Sequence, residues 1–297
     1  MNKGIVFTAL SALFYGSIGY FGVRLLEQGF DVANMLFWRF FLSCLLLLPL
    51  VPRFLSLDKF KTHKKAFASL FFLGATFHGL GTATYFEATK SIGTGLAMVL
   101  FFTYPIFVVG LSRFLKNIAL TPKIFASLLL IIIGCALIAS GSYSAANFDL
   151  RGLLLALSSG LCYGTYVFYS KELSGALSPA LATFIVCLGT TCALALYMLF
   201  TAQNFIWPES HDVWLLLGLF ALIGTVLPVL LLLAGIIYLP ASTASIISVL
   251  EPVAVLGVGT WILGESLYPM QIFGALVILS ATLLIYIKPR RPDPILD

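Results

Sequence analysis

Four ionisable side chains lie inside long apolar stretches of the sequence and are the first candidates for chemistry. They are Arg39, His78, Glu87 and Glu251. If these stretches cross a bilayer, an ionisable group at mid-depth costs at least about 2.5 kcal/mol to insert, so each needs a structural or functional reason. An imidazole can exchange a proton near neutral pH, and a carboxylate can bind an amine or a proton. The pattern therefore predicts a buried site for protons or for a small charged molecule.

Polar neighbours at helical spacing extend this candidate site. Thr82 and Tyr85 follow His78 by four and seven residues, and Ser248 precedes Glu251 by three. Residues at these spacings share one face of a helix. His78 and Glu251 also lie about halfway along their apolar segments, which places both near the middle of a bilayer.

Three tyrosines complete the candidate substrate-binding set. Tyr104 lies at a depth similar to that of Glu251, and Tyr15 and Tyr163 occupy matching positions in two other apolar segments. Together with the polar faces, these rings predict a cavity near the midplane that has an aromatic wall and a few polar anchors.

A structural role competes with a functional role at each of these positions. A hydrogen bond between helices explains His78 as well as contact with cargo does. Glu251 precedes a proline, which frees a backbone carbonyl, so a structural partner for its carboxyl group is the alternative. Arg39 favours the structural reading, in which it extends towards the interface or pairs with Glu87. The tyrosines are equally suited to core packing.

The composition places the whole chain in lipid. Of 297 residues, 60% are hydrophobic and only 10% are charged, which is too few to cover a soluble domain. The Lys and Arg residues are scattered at the ends of apolar segments and form no face for nucleic acid. The cysteines lie in apolar stretches without paired spacing, and His63 and His211 stand alone. We therefore expect no metal, no cofactor and no enzymatic centre.

Apolar segments about 20 residues long recur along the chain, which is the length that crosses a hydrocarbon core of about 30 Å. The predicted spans are 4–24, 32–52, 66–87, 93–113, 122–141, 151–171, 178–200, 213–236, 241–262 and 269–287. The predicted fold is an all-α polytopic integral membrane protein with ten transmembrane helices.

The positive charges select one orientation for these spans. With the N-terminus in the cytoplasm, 13 of the 17 Lys and Arg residues fall at cytoplasmic ends. Cytoplasmic ends of membrane helices carry an excess of these residues. Both termini are therefore predicted to be cytoplasmic, in the inner membrane of a bacterium.

An internal repeat appears at an offset of 147 to 148 residues. The segment 11–17, SALFYGS, matches 159–165, SGLCYGT, and Tyr104-Pro105 matches Glu251-Pro252. Five helices per repeat is an odd number, so the second half must enter from the opposite side. This predicts two inverted five-helix repeats, 1–145 and 146–297, an arrangement typical of transporters.

The second half carries the motifs of a known family. Ser248 to Pro252 is followed by Leu263-Gly264-Glu265 and by Gln271 to Gly274, with Arg39 in the second span. These features resemble the EamA branch of the drug/metabolite transporter superfamily over nearly the whole chain. The position that matches Glu265 in the first half is Ile118, so the resemblance is not symmetrical there. It implies export of an amino acid or a related metabolite through a central cavity.

The sequence therefore predicts a secondary transporter that alternates access to a midplane site. No phosphate-binding loop of the type found in ATPases is present, so energy must come from a gradient, for which protons are the candidate. The alternative is uptake of an environmental nutrient such as an amino acid, a nucleobase or S-adenosylmethionine. A membrane-embedded enzyme is the third reading. The expected partners are the small-molecule substrate and the lipid bilayer.

Overall fold

A computed structural model describes residues 3–51, 57–140, 149–173, 175–262, 264 and 266–284, and for 57–61 it describes the backbone only. This part of the chain is built from helices. The α-helices are α1 (Lys3–Tyr15), α2 (Ile18–Glu27), α3 (Val32–Leu47), α4 (Leu57–Phe72), α5 (Gly79–Phe101), α6 (Tyr104–Lys116), α7 (Pro122–Ser140), α8 (Leu150–Glu172), α9 (Pro179–Phe200), α10 (His211–Ala221), α11 (Leu227–Ile236), α12 (Ala241–Ser248), α13 (Glu251–Ile262) and α14 (Pro269–Leu284).

Short polar side chains set where several of these helices begin. The oxygen of an Asp or Ser at the N-cap accepts a hydrogen bond from one of the first backbone N–H groups, which have no partner in the helix itself. Such caps are Asp31 for α3, Asp149 for α8, Ser178 for α9 and Ser210 for α10. The loops between apolar segments therefore define their starting points.

Eight helical stretches of the described residues are long and apolar enough to cross a membrane. Seven have between 19 and 26 residues, while the stretch Thr62–Lys116 has 55. That long stretch is interrupted at Gly93, whose φ of 76° and ψ of 159° are not helical. A positive φ of this kind is accessible to glycine without steric cost. Pro269–Leu284 is apolar but has 16 residues.

Two π-helical segments interrupt the apolar helices, Leu73–His78 between α4 and α5 and Leu222–Val226 between α10 and α11. A π-turn replaces the usual hydrogen bond to the fourth residue by one to the fifth, which loosens the backbone ladder locally. In a bilayer, a carbonyl left without its ladder partner needs another donor.

Hydroxyl groups from neighbouring helices serve these segments. The Thr190 Oγ1 of α9 lies 2.9 Å from Gly74 O and 3.0 Å from Val186 O. The Ser43 Oγ of α3 lies 3.3 Å from Ala221 O, and it is 2.7 Å from the carbonyl of the residue four positions earlier. One hydroxyl therefore connects its own helix to a loosened turn in each case.

These two sets of contacts are related by a fixed offset along the chain. Ser43 and Thr190 are 147 positions apart, and so are Gly74 and Ala221. The next residue of α3 contacts its own equivalent, because Cys44 Sγ lies 3.8 Å from the Thr191 hydroxyl.

The helices α7 and α14 show the same relation. Ser127 of α7 donates a hydrogen bond of 2.9 Å to Ala281 O of α14. Gly274 approaches Gly134 O so closely that a Cβ would lie 2.7 Å from it. Ser127 with Gly274, and Gly134 with Ala281, are again 147 positions apart.

Glycines permit the closest helix contacts. A Cβ on Gly189 of α9 would overlap the carbonyl oxygen of Phe71, and a Cβ on Gly74 would overlap that of Val186. Small residues at such crossings allow the backbones of membrane helices to pack directly. The contact between α9 and the π-segment Leu73–His78 therefore tolerates no side chain.

We expect Gly189→Ala to destabilise the protein by about 1–3 kcal/mol, because the methyl group must push α9 away from α4. The measurement is the thermal midpoint of unfolding in detergent, followed by size-exclusion chromatography. Gly218→Ala, in α10, is the matched control, since nothing lies within 4 Å of a Cβ placed on Gly218. Equal midpoints for the two variants would contradict the close contact.

Candidate functional site

Five aromatic side chains from three helices meet in one cluster: Tyr85, Phe101, Tyr104, Tyr163 and Tyr166. The Tyr163 ring lies 4.9 Å from Tyr104 in an edge-to-face arrangement, 5.3 Å from Phe101 and 5.8 Å from Tyr166. Tyr85 packs on Phe101 at 5.2 Å. We call these five residues the aromatic cluster. It joins α5, α6 and α8 by ring contacts of favourable geometry.

Glu251 is placed beside this cluster by a break in the middle of an apolar segment. Helix α12 ends at Ser248 and α13 begins at Glu251, with Pro252 in its first turn. The N-terminus of a helix favours a negative charge, because its first N–H groups point out of the helix. Glu251 is partly buried, and none of the ion pairs among the described residues includes it.

Several groups of the site lie within electrostatic range of Glu251. They are the phenol groups of Tyr15, Tyr85, Tyr104 and Tyr163. These tyrosines come from α1, α5, α6 and α8, and the cargo-binding role of this set stays a prediction.

Tyr104, like Glu251, lies at the start of a helix that follows a break. Helix α5 ends at Phe101 and α6 begins at Tyr104, with a proline in its first turn, as α13 begins at Glu251. Tyr104 is 1% exposed, and its Oη donates a hydrogen bond of 3.0 Å to Ser245 O of α12. This bond connects the break before α6 to the helix that precedes Glu251.

Tyr15 reaches the site through a close helix contact. It ends α1, and Gly16 follows it in the turn before α2. A Cβ on Gly16 would lie 2.5 Å from the Cβ of Ala254 in α13. The Tyr15 hydroxyl is buried near that of Tyr163, and the Tyr166 hydroxyl is buried near that of Ser170. Neither makes a hydrogen bond of standard geometry in the described part of the chain. Buried hydroxyls of this kind are normally satisfied by water or by a ligand.

His78 is enclosed by protein. It is 3% exposed, and its Nδ1 lies 3.3 Å from the Thr190 hydroxyl. Its ring packs 4.8 Å from Tyr166 and 5.3 Å from Phe40. It closes the π-segment Leu73–His78 against α3, α8 and α9, so its contacts are those of the helix-to-helix alternative.

Thr82 and Ser248 have partners within their own helices. Thr82 Oγ1 donates to His78 O at 2.8 Å, and Ser248 Oγ donates to Ala244 O at 3.0 Å. Hydroxyls bonded to the preceding turn satisfy themselves locally. Each would have to leave this bond to donate to cargo.

Arg39 binds neutral acceptors, and the expected pair with Glu87 is wrong. Its Nε donates to Thr225 Oγ1 at 2.5 Å and its Nη2 to Gly224 O at 2.6 Å, both in the π-segment Leu222–Val226. Its guanidinium lies over the ring of Phe220 at 4.8 Å. Arg39 is 3% exposed, so it does not extend to the interface either. The loosened turn offers a carbonyl oxygen that requires a donor, and Arg39 supplies it.

Glu87 lies apart from the site. It accepts a hydrogen bond of 2.9 Å from Lys90 on the same helix, and the two side chains are 44% and 57% exposed. An exposed pair of this kind contributes little to stability. Glu265 and Leu263 of the sequence motif lie outside the described residues.

Sequence reasoning missed four residues of this region. Phe101 and Tyr166 belong to the aromatic cluster, while Thr190 and Thr225 hold His78 and Arg39. Tyr166 follows Tyr163 by three residues on the same helix face, and this spacing could have identified it. Thr225 carried no such signal, because the π-turn that presents it is not apparent in the sequence.

Comparisons with known proteins agree with this architecture. The EamA-like transporter family matches residues 2–140 and 150–287. An uncharacterized transporter of Archaeoglobus fulgidus is 27% identical over 286 residues, which cover 96% of each chain. The threonine/homoserine exporter RhtA of Escherichia coli (strain K12) is 26% identical over 218 residues, covering 72% of this chain and 69% of the exporter.

A solved structure shares the fold. A protein crystal structure superposes with a TM-score of 0.80 at 14% identity, covering 96% of this chain and 99% of the other. The two matched segments of the family, 2–140 and 150–287, together span nearly the whole sequence. The chain is therefore an integral membrane protein with a transporter fold, and it belongs to the EamA-like transporter family.

Proposed function

We propose that this transporter exports a small metabolite that carries an amine, such as an amino acid, and that the cargo binds at Glu251. The observation that carries the proposal is a partly buried carboxylate, without an ion-pair partner among the described residues, beside four tyrosines. An ammonium group gains both a counter-charge and attraction to aromatic faces in such a place. The printed name of the RhtA relative, an exporter of threonine and homoserine, supports an amino-acid cargo.

Within this proposal the tyrosines bind cargo, while His78 and Arg39 hold the site together. Tyr15 offers a hydroxyl that makes no hydrogen bond of standard geometry in the described part of the chain, and Tyr85, Tyr104 and Tyr163 supply ring faces. Thr82 and Ser248 provide hydroxyls on the adjoining helix faces. His78 and Arg39 fix the two π-segments, and Arg39 adds a positive charge within electrostatic range of Glu251.

We propose further that the chain crosses the inner membrane of a bacterium ten times, as two inverted halves. A continuous helix of 55 residues would be about 83 Å long, far more than a bilayer core, and the break at Gly93 divides Thr62–Lys116 into two crossings. Pro269–Leu284 is the tenth crossing. Both termini then lie in the cytoplasm.

The fixed offset of 147 residues supports the inverted arrangement. Ser43 and Thr190 make equivalent contacts, as do Ser127 and Gly274. Contacts that recur in this way are expected when the two halves are related by a pseudo-two-fold axis. The division between halves at 145/146 lies outside the described residues. Two such halves can alternate access to a shared site.

We expect Glu251→Gln to reduce export of the cargo at least tenfold, because the amide cannot neutralise an ammonium group in a site of low polarity. The measurement is efflux from proteoliposomes loaded in turn with labelled threonine, homoserine, other amino acids, nucleobases and S-adenosylmethionine, with and without a pH gradient. Glu87→Gln is the matched control, and it should retain the wild-type rate because that carboxylate is half-exposed and paired with Lys90.

The same assay separates the alternatives. Cargo flux that survives Glu251→Gln would overturn the proposed site. Flux that ignores the pH gradient would exclude proton coupling but leave the site intact. Uptake that exceeds efflux under the same gradient would favour the import reading.

We expect a cysteine in place of Thr94 to react with a membrane-impermeant maleimide added to intact cells, and a cysteine in place of Leu120 to react only in inverted vesicles. Both positions are exposed, and they lie at opposite ends of the proposed fourth crossing. The five native cysteines are replaced by alanine first, and the cysteine-free chain is the control. Labelling of both positions from one side would contradict the two crossings within Thr62–Lys116.

A further inference from the structure

Lys171, in the last turn of α8, reaches across to another helix. Its Nζ donates hydrogen bonds of 2.7 Å to Ile236 O and 3.1 Å to Ile237 O, at the end of α11. The last carbonyls of a helix have no donor in the helix and form its negative end, so a lysine is favoured there. Lys171 therefore ties the ends of two predicted spans together.

The next residue makes a second connection. Glu172 forms an ion pair with Lys116 at the end of α6. Two consecutive side chains of α8 thus hold the ends of α6 and α11. By the proposed orientation all three ends lie on the cytoplasmic side.

The contact between α8 and α11 next to these bonds is incompletely packed, and we call it the seam. A cavity of about 10 Å³, enough for about one water molecule, is lined by Leu70, Ser170, Leu233 and Ile237 among others. Ser170 Oγ and the hydroxyl of Tyr166, one turn earlier, are both buried. They lie near each other, but neither makes a hydrogen bond of standard geometry in the described part of the chain. Tyr166 belongs to the aromatic cluster, so one turn of α8 separates the cavity lining from the candidate site.

Burial of these two hydroxyls makes the closed arrangement less favourable. A buried hydroxyl without a partner has lost its hydrogen bonds to water and gained none in return. Parting the ends of α8 and α11 would let water reach Ser170 and then Tyr166. The contacts of Lys171 and Glu172 must therefore outweigh this cost while the seam is shut.

The equivalent residue at the other membrane face is arranged differently. Arg24 precedes Lys171 by 147 positions and lies in the last turn of α2. Its Nη1 binds Glu27 on the same helix at 3.0 Å, and its side chain is 48% exposed. Glu87 and Lys90, also at the proposed outer face, likewise pair within one helix. The charged pairs at this face are local, whereas those at the cytoplasmic face join helices.

We propose that Lys171 is the latch that closes the cytoplasmic end of the transporter, and that Arg24 is the corresponding latch of the opposite state. In that state Arg24 would donate to the carbonyls of Thr89 and Lys90, the positions equivalent to Ile236 and Ile237. The proposal rests on the inverted-repeat transporter proposed above, in which the halves exchange conformations when access alternates. The state described here is the one closed towards the cytoplasm.

The exchange requires contacts that are strong but breakable. A hydrogen bond from a charged donor changes an equilibrium by about tenfold or more when it is lost. Lys171 and Arg24 each bias the same two-state equilibrium, in opposite directions.

The test uses Ser170→Cys as a reporter in a chain whose five native cysteines are alanine. A membrane-impermeant thiol reagent is applied to the cytoplasmic face of inverted vesicles, without cargo. We expect Lys171→Met to raise the labelling rate of Ser170→Cys about tenfold. Lys171→Arg should keep the low rate, because it retains a cationic donor. Lys64→Met, which removes an exposed lysine on the same face, is the matched control and should change nothing.

Arg24→Met supplies an independent second measurement. Loss of its latch disfavours the state open to the cytoplasm, so labelling of Ser170→Cys should fall several-fold below that of the parent. The labelling of Arg24→Met tests the proposal even if Lys171→Met fails to give a monodisperse peak in size-exclusion chromatography.

Two outcomes would overturn the latch. One is equal labelling in Lys171→Arg and Lys171→Met, which would indicate simple packing. The other is a rate that neither Lys171→Met nor Arg24→Met changes. The labelling experiment needs no cargo, so it can refute the latch without bearing on the proposed cargo or on the role of Glu251. The efflux assay tests those two separately.

Discussion

A backbone carbonyl that leaves the regular helical ladder inside a bilayer must find a donor elsewhere, because the hydrocarbon offers none. In the part of this chain that the structure describes, the ladder is loosened twice, at Leu73–His78 and at Leu222–Val226. The Thr190 hydroxyl donates to a carbonyl of the first segment, and Arg39 donates to a carbonyl of the second. Ser43 donates to the carbonyl just before the second segment. The helices α3 and α9 are thereby fixed against the helices that carry the π-turns.

The same requirement explains why a full positive charge can be buried here without a carboxylate. The guanidinium of Arg39 meets a carbonyl dipole, a hydroxyl and the faces of Phe40 and Phe220. These partners disperse the charge without neutralising it. None of the ion pairs among the described residues includes Glu251, so its carboxyl group is left for the proposed cargo.

Much of the fold was readable from the sequence, because lipid imposes simple rules on segment length and charge. The apolar segments, their polar breaks and the repeat offset all emerged from residue types alone. The offset also paired Tyr104 with Glu251, and both residues begin a helix after a break in mid-segment. Proline in the first turn of each helix made that equivalence visible, since it marks where a helix can restart.

The contacts of the buried charges were less predictable. Helix spacing placed Arg39 and Glu87 in neighbouring segments at plausible depths, and opposite charges suggested a pair. The structure instead pairs Glu87 with Lys90, one turn away on the same helix. The acceptors of Arg39 come from a π-turn whose sequence, 222–226, is ordinary for a membrane helix. Loosening of this kind is decided by tertiary packing.

Contacts that recur at the repeat offset and contacts that do not recur carry different information about transport. Where residues at the repeat offset make equivalent contacts, as Ser43 and Thr190 do, we expect the helices involved to stay together during transport. Where the contacts differ, as at Arg24 and Lys171, the same position is bound across helices in one half and within its own helix in the other. In the inverted arrangement proposed above, such an asymmetry marks contacts that differ between the two states of the transporter. The ends of α8 and α11, rather than the crossings at the π-segments, are therefore where we expect the molecule to change shape.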